Sequence, residues 1–240
     1  MNEKTFNKWF NAFVLVGMGA AIVLATVFKT LQGGENLWLL YISAFGSMMG
    51  IASSVTSANG SIWTFVFGLV NVTIYAVVCF IGAKYGTAIL HAAYTAPMNI
   101  IGFIQWRKRG ASGKAKVKAR RLPVKGRFLV GLVFFVSSFV LWYLLHLYSG
   151  ASTPLFDALS VVCNVIGQFL MSTAYMEQWI FWIGVNIASI LMWSLTLAAH
   201  PGDSFALVYI IKYAFYLLNG CNGLRIWLRD SRPREGCISE

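Results

Sequence analysis

Amide and aromatic side chains recur inside stretches of this sequence that carry almost no charge. Asn71, Tyr75, Asn99, Gln105, Asn164, Gln168, Asn186, Lys212, Tyr216, Asn219 and Asn222 all fall within such stretches. At helical spacing, Lys212, Tyr216, Asn219 and Gly223 lie within about 60° of one face, and Asn99, Gly102, Gln105 and Trp106 within about 120° of another. Asn71 with Tyr75, and Trp182 with Asn186, are i,i+4 pairs, and Asn164, Gly167, Gln168 and Met171 form a further face. Amides offer paired donors and acceptors, and Trp and Tyr offer flat stacking surfaces. The chemistry of such a set is recognition of a polar aromatic ligand, uncharged or singly charged. An enzyme needs a nucleophile beside a base, or a metal set, and neither is visible. His91, His146 and His200 share no ligand spacing with one another or with Cys79, Cys163, Cys221 and Cys237, so no metal and no cofactor is expected. A single amide taken alone reads more readily as an interhelical hydrogen bond, worth about 0.6–2 kcal/mol. The recurrence of amides and aromatics on matching faces is what favours a binding site. Lys212 is a basic residue placed well inside an apolar run, a functional candidate by its cost there. Outward snorkelling, or a bond to a carbonyl, are equal alternatives for it.

These residues need apolar helices to position them. Of the 240 residues 58% are hydrophobic and 11% charged, the net charge is +11 and mean hydropathy is +0.67. A soluble domain carries about 25% charged residues, which disfavours a cytosolic enzyme, a disordered tail protein and a simple nucleic-acid binder. Asp, Glu, Lys and Arg are absent from 9–28, 36–83, 85–106, 128–156, 158–176 and 178–202, and 204–227 holds only Lys212 and Arg225. About 20 apolar residues cross about 30 Å of hydrocarbon. Eight membrane spans are therefore expected, near 10–28, 37–55, 63–82, 87–106, 128–148, 157–176, 178–198 and 204–227. The breaks fall at Gln32-Gly33-Gly34, Thr56–Ser61, Gly150–Pro154 and His200–Asp203. The neutral run of the first span is long for a signal peptide, so it is expected to be retained.

Ten basic residues between Arg107 and Arg127 crowd one connection, which reads as a solvated, lipid-facing topogenic loop rather than an RNA site. With eight spans that loop and both tails share a side, cytoplasmic by the positive-inside rule. Spans two to four and six to eight also look like copies of each other. Gly102-Phe-Ile-Gln-Trp106 matches Gly223-Leu-Arg-Ile-Trp227, Phe67–Asn71 matches Trp182–Asn186, and Gly50 matches Gly167. Three spans per copy and one span between them make the repeats parallel, an arrangement found in transporters with a site near the midplane. Asp157 and Glu177 sit at span ends and His91 and His146 are the titratable candidates within spans, so proton coupling has few candidates; sodium sites built from backbone carbonyls stay open, and an uncoupled facilitator is favoured.

The stretch Trp63-Thr-Phe-Val-Phe-Gly68-Leu-Val-Asn71-Val-Thr-Ile-Tyr75, with Tyr94-Thr-Ala-Pro-Met-Asn99-Ile-Ile-Gly102-Phe-Ile-Gln105-Trp106, resembles the first repeat of the PnuC family of bacterial vitamin transporters. Trp179-Ile-Phe-Trp182-Ile-Gly-Val-Asn186, then Tyr216-Leu-Leu-Asn219 to Gly223-Leu-Arg-Ile-Trp227, resembles the second. The resemblance covers roughly residues 37–230, and the Asn-x-x-Gly-x-x-x-Trp ending of span four is its most specific part. It implies an all-α polytopic membrane protein with a three-one-three helix plan similar to SWEET transporters, plus an additional N-terminal helix. On that plan 1–36 is the tail and extra helix, 37–106 the first repeat, 107–127 the basic loop, 128–156 the linker helix, 157–227 the second repeat and 228–240 a tail.

It further implies import of nicotinamide riboside into a bacterium across its inner membrane, by facilitated diffusion made one-way by cytoplasmic phosphorylation. Trp182, with Trp63 or Tyr216 as partner, is then expected to stack on the pyridinium ring. Gln105, Asn99 and Asn219 are expected to pair with the carboxamide or ribose hydroxyls, and Asn71, Tyr75 and Asn186 to complete the cavity. Lys212 suits a cationic ligand poorly and is expected to meet the ribose side or a helix end. The partners expected are this solute and membrane lipids, with a homo-oligomer admitted and nucleic acid excluded. Competing readings are a facilitator for thiamine, riboflavin or a sugar, an intramembrane enzyme, and a receptor-like protein that recruits a partner through Lys114–Arg121.

Overall fold

The computed structural model describes residues 2–32, 36–81, 85–149, 153–199 and 204–232. The expected breaks at Gly33-Gly34, Gly150–Ser152 and His200–Asp203, together with Arg234 and Cys237, lie outside them. Helix α1 spans Glu3–Leu31, α2 Leu37–Ala58, α3 Trp63–Ile81, α4 Tyr85–Leu90, α5 Ala96–Lys108, α6 Val124–Tyr148, α7 Pro154–Ser172, α8 Gln178–Ala199 and α9 Ser204–Asp230. A π turn, His91–Thr95, runs from α4 into α5 without a break. The described residues thus form eight continuous helices, of which α1, α2, α3, α6, α7 and α8 are long and apolar enough to cross a membrane.

The π turn has a local cause. Pro97 has no N–H to give the carbonyl of Ala93, and its ring crowds that carbonyl. Widening the helix just before it relieves the conflict. The helices pack as a closed ring: α2 on α3, α3 on α5, α5 on α7, α7 on α8, α8 on α9, and α9 back on α2. Outside the ring, α1 lies against α2 and α9, and α6 lies against α7. Helix α6 buries only Ser138 outright, and its face toward α7, with Val130, Phe134 and Leu141, is partly covered, which leaves the opposite face open.

One end of the ring is filled. Phe65, Trp106, Trp179, Ile226 and Trp227 are buried there with Met171 and Met176. Trp106 stands edge-on to Phe65 with ring centres 4.9 Å apart, and tilted against Trp227 at 5.5 Å. Gly102 and Gly223 make this packing possible, because a β-carbon at either would enter the Phe65 or Trp179 ring. The same end brings the start of α1 to the last turns of α9, since Arg225 and Arg229 pair with Glu3.

The basic connection, expected to be a solvated loop, is instead a strap stitched across this end. Ala111 and Val117 are buried in the aromatic cluster. Val117 N–H donates to Gly60 O at 3.0 Å, Arg120 N–H to Ala174 O at 2.8 Å, and Met176 N–H to Arg120 O at 2.9 Å. Gly60 and Ala174 turn the chain between α2 and α3 and between α7 and α8, both with positive φ (68° and 62°). Buried backbone N–H groups need acceptors, and the strap meets its need at these two turns while Lys114, Lys116 and Lys118 stay exposed.

Glu177 is the strap's anchor. Its carboxylate, 5% exposed, accepts from Leu122 N–H at 3.1 and 3.2 Å and from Arg127 Nε at 3.0 Å. Hydrogen bonds to a charged group contribute about 1.5–3 kcal/mol, and Arg127 can turn to water when released. Glu177→Ala is therefore expected to lower stability by about 2–3 kcal/mol, measured by thermal unfolding of the purified protein. A change within experimental error would mean the strap is held without it.

Candidate substrate-binding site

Polar side chains line the inner seams of the ring. At the α2–α9 seam Asn219 is fully buried, and its Nδ2 donates to Ser54 Oγ at 2.8 Å while its Oδ1 has no partner. Asn186, buried on α8, points its amide at Gly220 of α9. Between α3 and α5, Asn99 is 3% exposed and donates from Nδ2 to Thr95 O at 2.8 Å. Its Oδ1 lies 2.5 Å from where a β-carbon of Gly68 would stand, with Ser53 Oγ beside it. Only glycine at 68 lets that amide come so close.

The α5–α7 seam is sewn more tightly. Tyr94 Oη donates to Val165 O at 2.7 Å, Trp106 Nε1 to Met171 O at 2.8 Å, and Ser172 Oγ lies 2.9 Å from Met98 O. Gln168 is buried on α7 one turn before Ser172, and its Nε2 has no partner. The α9–α2 seam has a matching bond, Trp227 Nε1 to Ser57 O at 3.1 Å. Unpaired buried donors and acceptors are costly, and Asn219 Oδ1 and Gln168 Nε2 are two such atoms at these seams.

Trp182 lies over Gly167, its ring 3.2–3.3 Å from where a β-carbon would be, and packs on the aromatic cluster at the closed end. Gln105 is half-buried on α5. Other expected members stand apart. Trp63, the first residue of α3, and Tyr75 are each 48% exposed, and Tyr75 meets the His91 ring edge-on at 4.9 Å. Asn71 is half-buried against Gly50. Tyr216 packs with Val14, Met18, Ile51 and Val55 rather than in the cluster that holds Trp182. Lys212 faces the rings of Tyr209, Tyr213 and Tyr216 at 5.5, 5.5 and 6.0 Å. Asn164 corrects the expectation that span amides face inward: it is exposed, and its Nδ2 donates to Ser160 O at 2.7 Å on its own helix. Ser54 and Ser172 carry no signal that would single them out in a chain so rich in small residues, whereas Gln168 lies on an expected face.

No group of three or more His, Cys, Asp or Glu that could hold a metal occurs among the described residues. The described carboxylates, Glu3, Asp157, Glu177 and Asp230, all stand at or beyond helix ends. The seams thus offer amides, hydroxyls and indoles for recognition.

Comparison with known proteins follows the same lines. The chain is 33% identical to a nicotinamide riboside transporter PnuC of Neisseria mucosa, with 93% of each chain covered. It is 30% identical to the protein of that name from Haemophilus influenzae, over 95% of this chain and 94% of that one. A crystal structure described as that of the vitamin B3 transporter PnuC superposes with a TM-score of 0.69 at 29% identity, covering 92% of this chain and 91% of the other. The family described as nicotinamide mononucleotide transporter matches residues 40–229, from α2 nearly to the end of α9, and the chain belongs to it.

Proposed function

We propose that this protein carries nicotinamide riboside across a bacterial inner membrane by facilitated diffusion, with phosphorylation of the nucleoside in the cytoplasm making uptake one-way. The observation that carries the reading is the set of buried amides at the ring's inner seams, with Asn219 Oδ1 and Gln168 Nε2 unpartnered. Asn219, Asn186, Asn99 and Gln105 would meet the carboxamide and ribose hydroxyls, and Trp182 the cationic ring. The riboside is favoured over the mononucleotide because the α9 cations on either side of Asn219 in sequence are engaged elsewhere. Lys212 faces three tyrosines, and Arg225 is held by Asn7, Asn222 and Glu3. A phosphate would need one of them released. Uncoupled movement is supported by described carboxylates that stand only at helix ends.

Two parallel three-helix repeats, α2–α5 and α7–α9, joined by linker α6, are part of the same proposal. Its support is that α5 meets α7 as α9 meets α2, each seam bridged by an indole N–H. Gly102 beneath Phe65 and Gly223 beneath Trp179 add to it. The strap and both chain ends would face the cytoplasm, in keeping with their positive charge.

The test is binding and uptake of labelled nicotinamide riboside by the purified protein in vesicles. Expected are saturable entry, recovery of the solute chemically unchanged, and competition by unlabelled riboside but not by thiamine, riboflavin or the mononucleotide. Recovery of a chemically altered solute would favour an enzyme. Combining Gln105→Ala with Trp182→Ala is expected to remove binding, and unchanged affinity in that variant would refute this site.

A further inference from the structure

The strap spans the filled end of the ring from α5 to α6, and it is fastened unequally to the two sides it joins. Toward α7, α8 and α9 its bonds are dense. Arg120 N–H donates to Ala174 O, Arg120 O accepts from Met176 N–H, and the Arg120 guanidinium lies 4.5 Å over the Tyr175 ring. Arg121 donates from Nη2 to Leu228 O at 2.7 Å and from Nε to Ser231 Oγ at 2.9 Å. Leu122 N–H and Arg127 Nε converge on Glu177, and the Leu122 side chain packs on Val162, Ile166 and Leu170 of α7.

Toward the α2–α3 turn the strap has one hydrogen bond among the described residues, Val117 N–H to Gly60 O at 3.0 Å, beside the buried Val117 side chain. Ala111 stays on α5, its N–H bonded to Trp106 O at 3.0 Å. The chain between these points is closed on itself and exposed. Ser112 N–H donates to Ala115 O, and Ala115 N–H to Ser112 Oγ, each at 3.0 Å. This loop stores slack. From Val117 to Arg120 the chain reaches about 10 Å, and from Ala111 to Arg120 about 30 Å. While Val117 holds Gly60, the shorter link ties the α2–α3 turn to the α7–α8 turn. Once it lets go, the longer link from α5 is what remains.

We propose that the strap is a clasp: residues 120–127 stay on α7, α8 and α9, while residues 112–117 let go of the α2–α3 turn and allow the two sides of the ring to part at this end. Release at Gly60 breaks one hydrogen bond and exposes one valine, whereas release at Ala174 breaks a backbone pair beside an ion pair and a cation–π contact. The parting rests on the proposed transport past this end; the unequal fastening does not.

The first measurement needs no solute. Amide hydrogen exchange of the purified full chain, resolved by residue and corrected for intrinsic rates, should be about tenfold faster at Val117 than at Arg120, Leu122 and Met176, the worth of one further hydrogen bond. Burial alone predicts the opposite order for Val117 and Arg120, since Val117 is 7% exposed and Arg120 is partly exposed. Equal or slower exchange at Val117 would overturn the clasp. The second measurement locks each half with a disulfide in a Cys221→Ser, Cys237→Ser background. Lys116 Cβ lies 3.6 Å from where a β-carbon of Gly60 would stand, a disulfide's span, so Gly60→Cys with Lys116→Cys locks the moving half. Arg120→Cys with Tyr175→Cys, paired across a parallel bridge, locks the fixed half. In vesicles, oxidation should stop nicotinamide riboside uptake by the first pair, with recovery on reduction, and leave the second pair unchanged. Uptake unaffected by the first lock, or stopped by the second, would overturn the proposal. Gly60 has φ 68°, which strains a cysteine there, and the exchange rates of the unaltered chain decide the clasp if that pair does not fold. If the wild type carries no riboside, the transport reading fails while the exchange rates still decide the clasp.

Discussion

Asn219→Ala is expected to weaken binding of nicotinamide riboside by about 10- to 100-fold while the protein still folds. A buried polar group deprived of its partner loses about 1–3 kcal/mol, and each 1.4 kcal/mol is about a factor of ten. Asn219 is fully buried, its Nδ2 is committed to Ser54 and its Oδ1 is unpartnered. A structural amide would lose only the Ser54 bond on truncation. The comparison is therefore with Ser54→Ala, which breaks that bond and keeps Oδ1. Calorimetric titration and ligand-free thermal unfolding of both variants separate the roles. If Asn219 binds the solute, both variants lose similar stability but only Asn219→Ala loses most of its affinity. Equal affinity losses in the two would reduce Asn219 to a tie between α2 and α9.

The helices were legible because lipid leaves the backbone no alternative to internal hydrogen bonding, so charge-free runs of sufficient length fall on helices. Within those runs spacing fixes which residues share a face, but not the direction in which the face points. Asn164 shows why. Its amide bonds to the Ser160 carbonyl of its own helix, so it can stand on an outer surface with that donor satisfied. Trp63 begins α3, at a membrane boundary where an amphipathic indole is stable half-exposed. Tyr216 shares a face with Asn219 in sequence, yet meets α1, a helix the repeat pattern does not place.

The strap was hidden for a different reason. Its lysines and arginines are indeed exposed for the most part, but backbone hydrogen bonds to Gly60 and Ala174 decide its course. Composition reports side chains and says nothing about where a backbone finds partners. The π turn, by contrast, had a readable cause in Pro97, although a proline alone does not say whether a helix kinks, ends or widens.

Trp106→Ala and Trp227→Ala are each expected to destabilise the protein by about 3–5 kcal/mol, the usual cost of emptying a large aromatic site in a packed core. Both side chains are almost wholly buried, at 0% and 2% exposure, and each also ties one seam through its Nε1–H. Domains hold only about 5–15 kcal/mol in total, so the double variant should not be recoverable as folded protein. The conservative pair is more telling. Trp106→Phe and Trp227→Phe keep most of the volume and remove only the indole donor, leaving Met171 O or Ser57 O without its bond across the seam. If the seams are equivalent by the proposed repeat, the two phenylalanine variants should lose similar stability, about 1 kcal/mol each. A large loss in one and none in the other would show that only one seam holds the end closed, and would sink the repeat as an energetic symmetry. The same bonds bear on transport. If the proposed route runs past the strap, a solute leaving there would part the Trp106–Trp227 contact, beside which both indole bonds cross the seams. Loosening either seam should therefore favour the state open at that end, so the phenylalanine variants are expected to release bound nicotinamide riboside faster than the wild type in stopped-flow dilution.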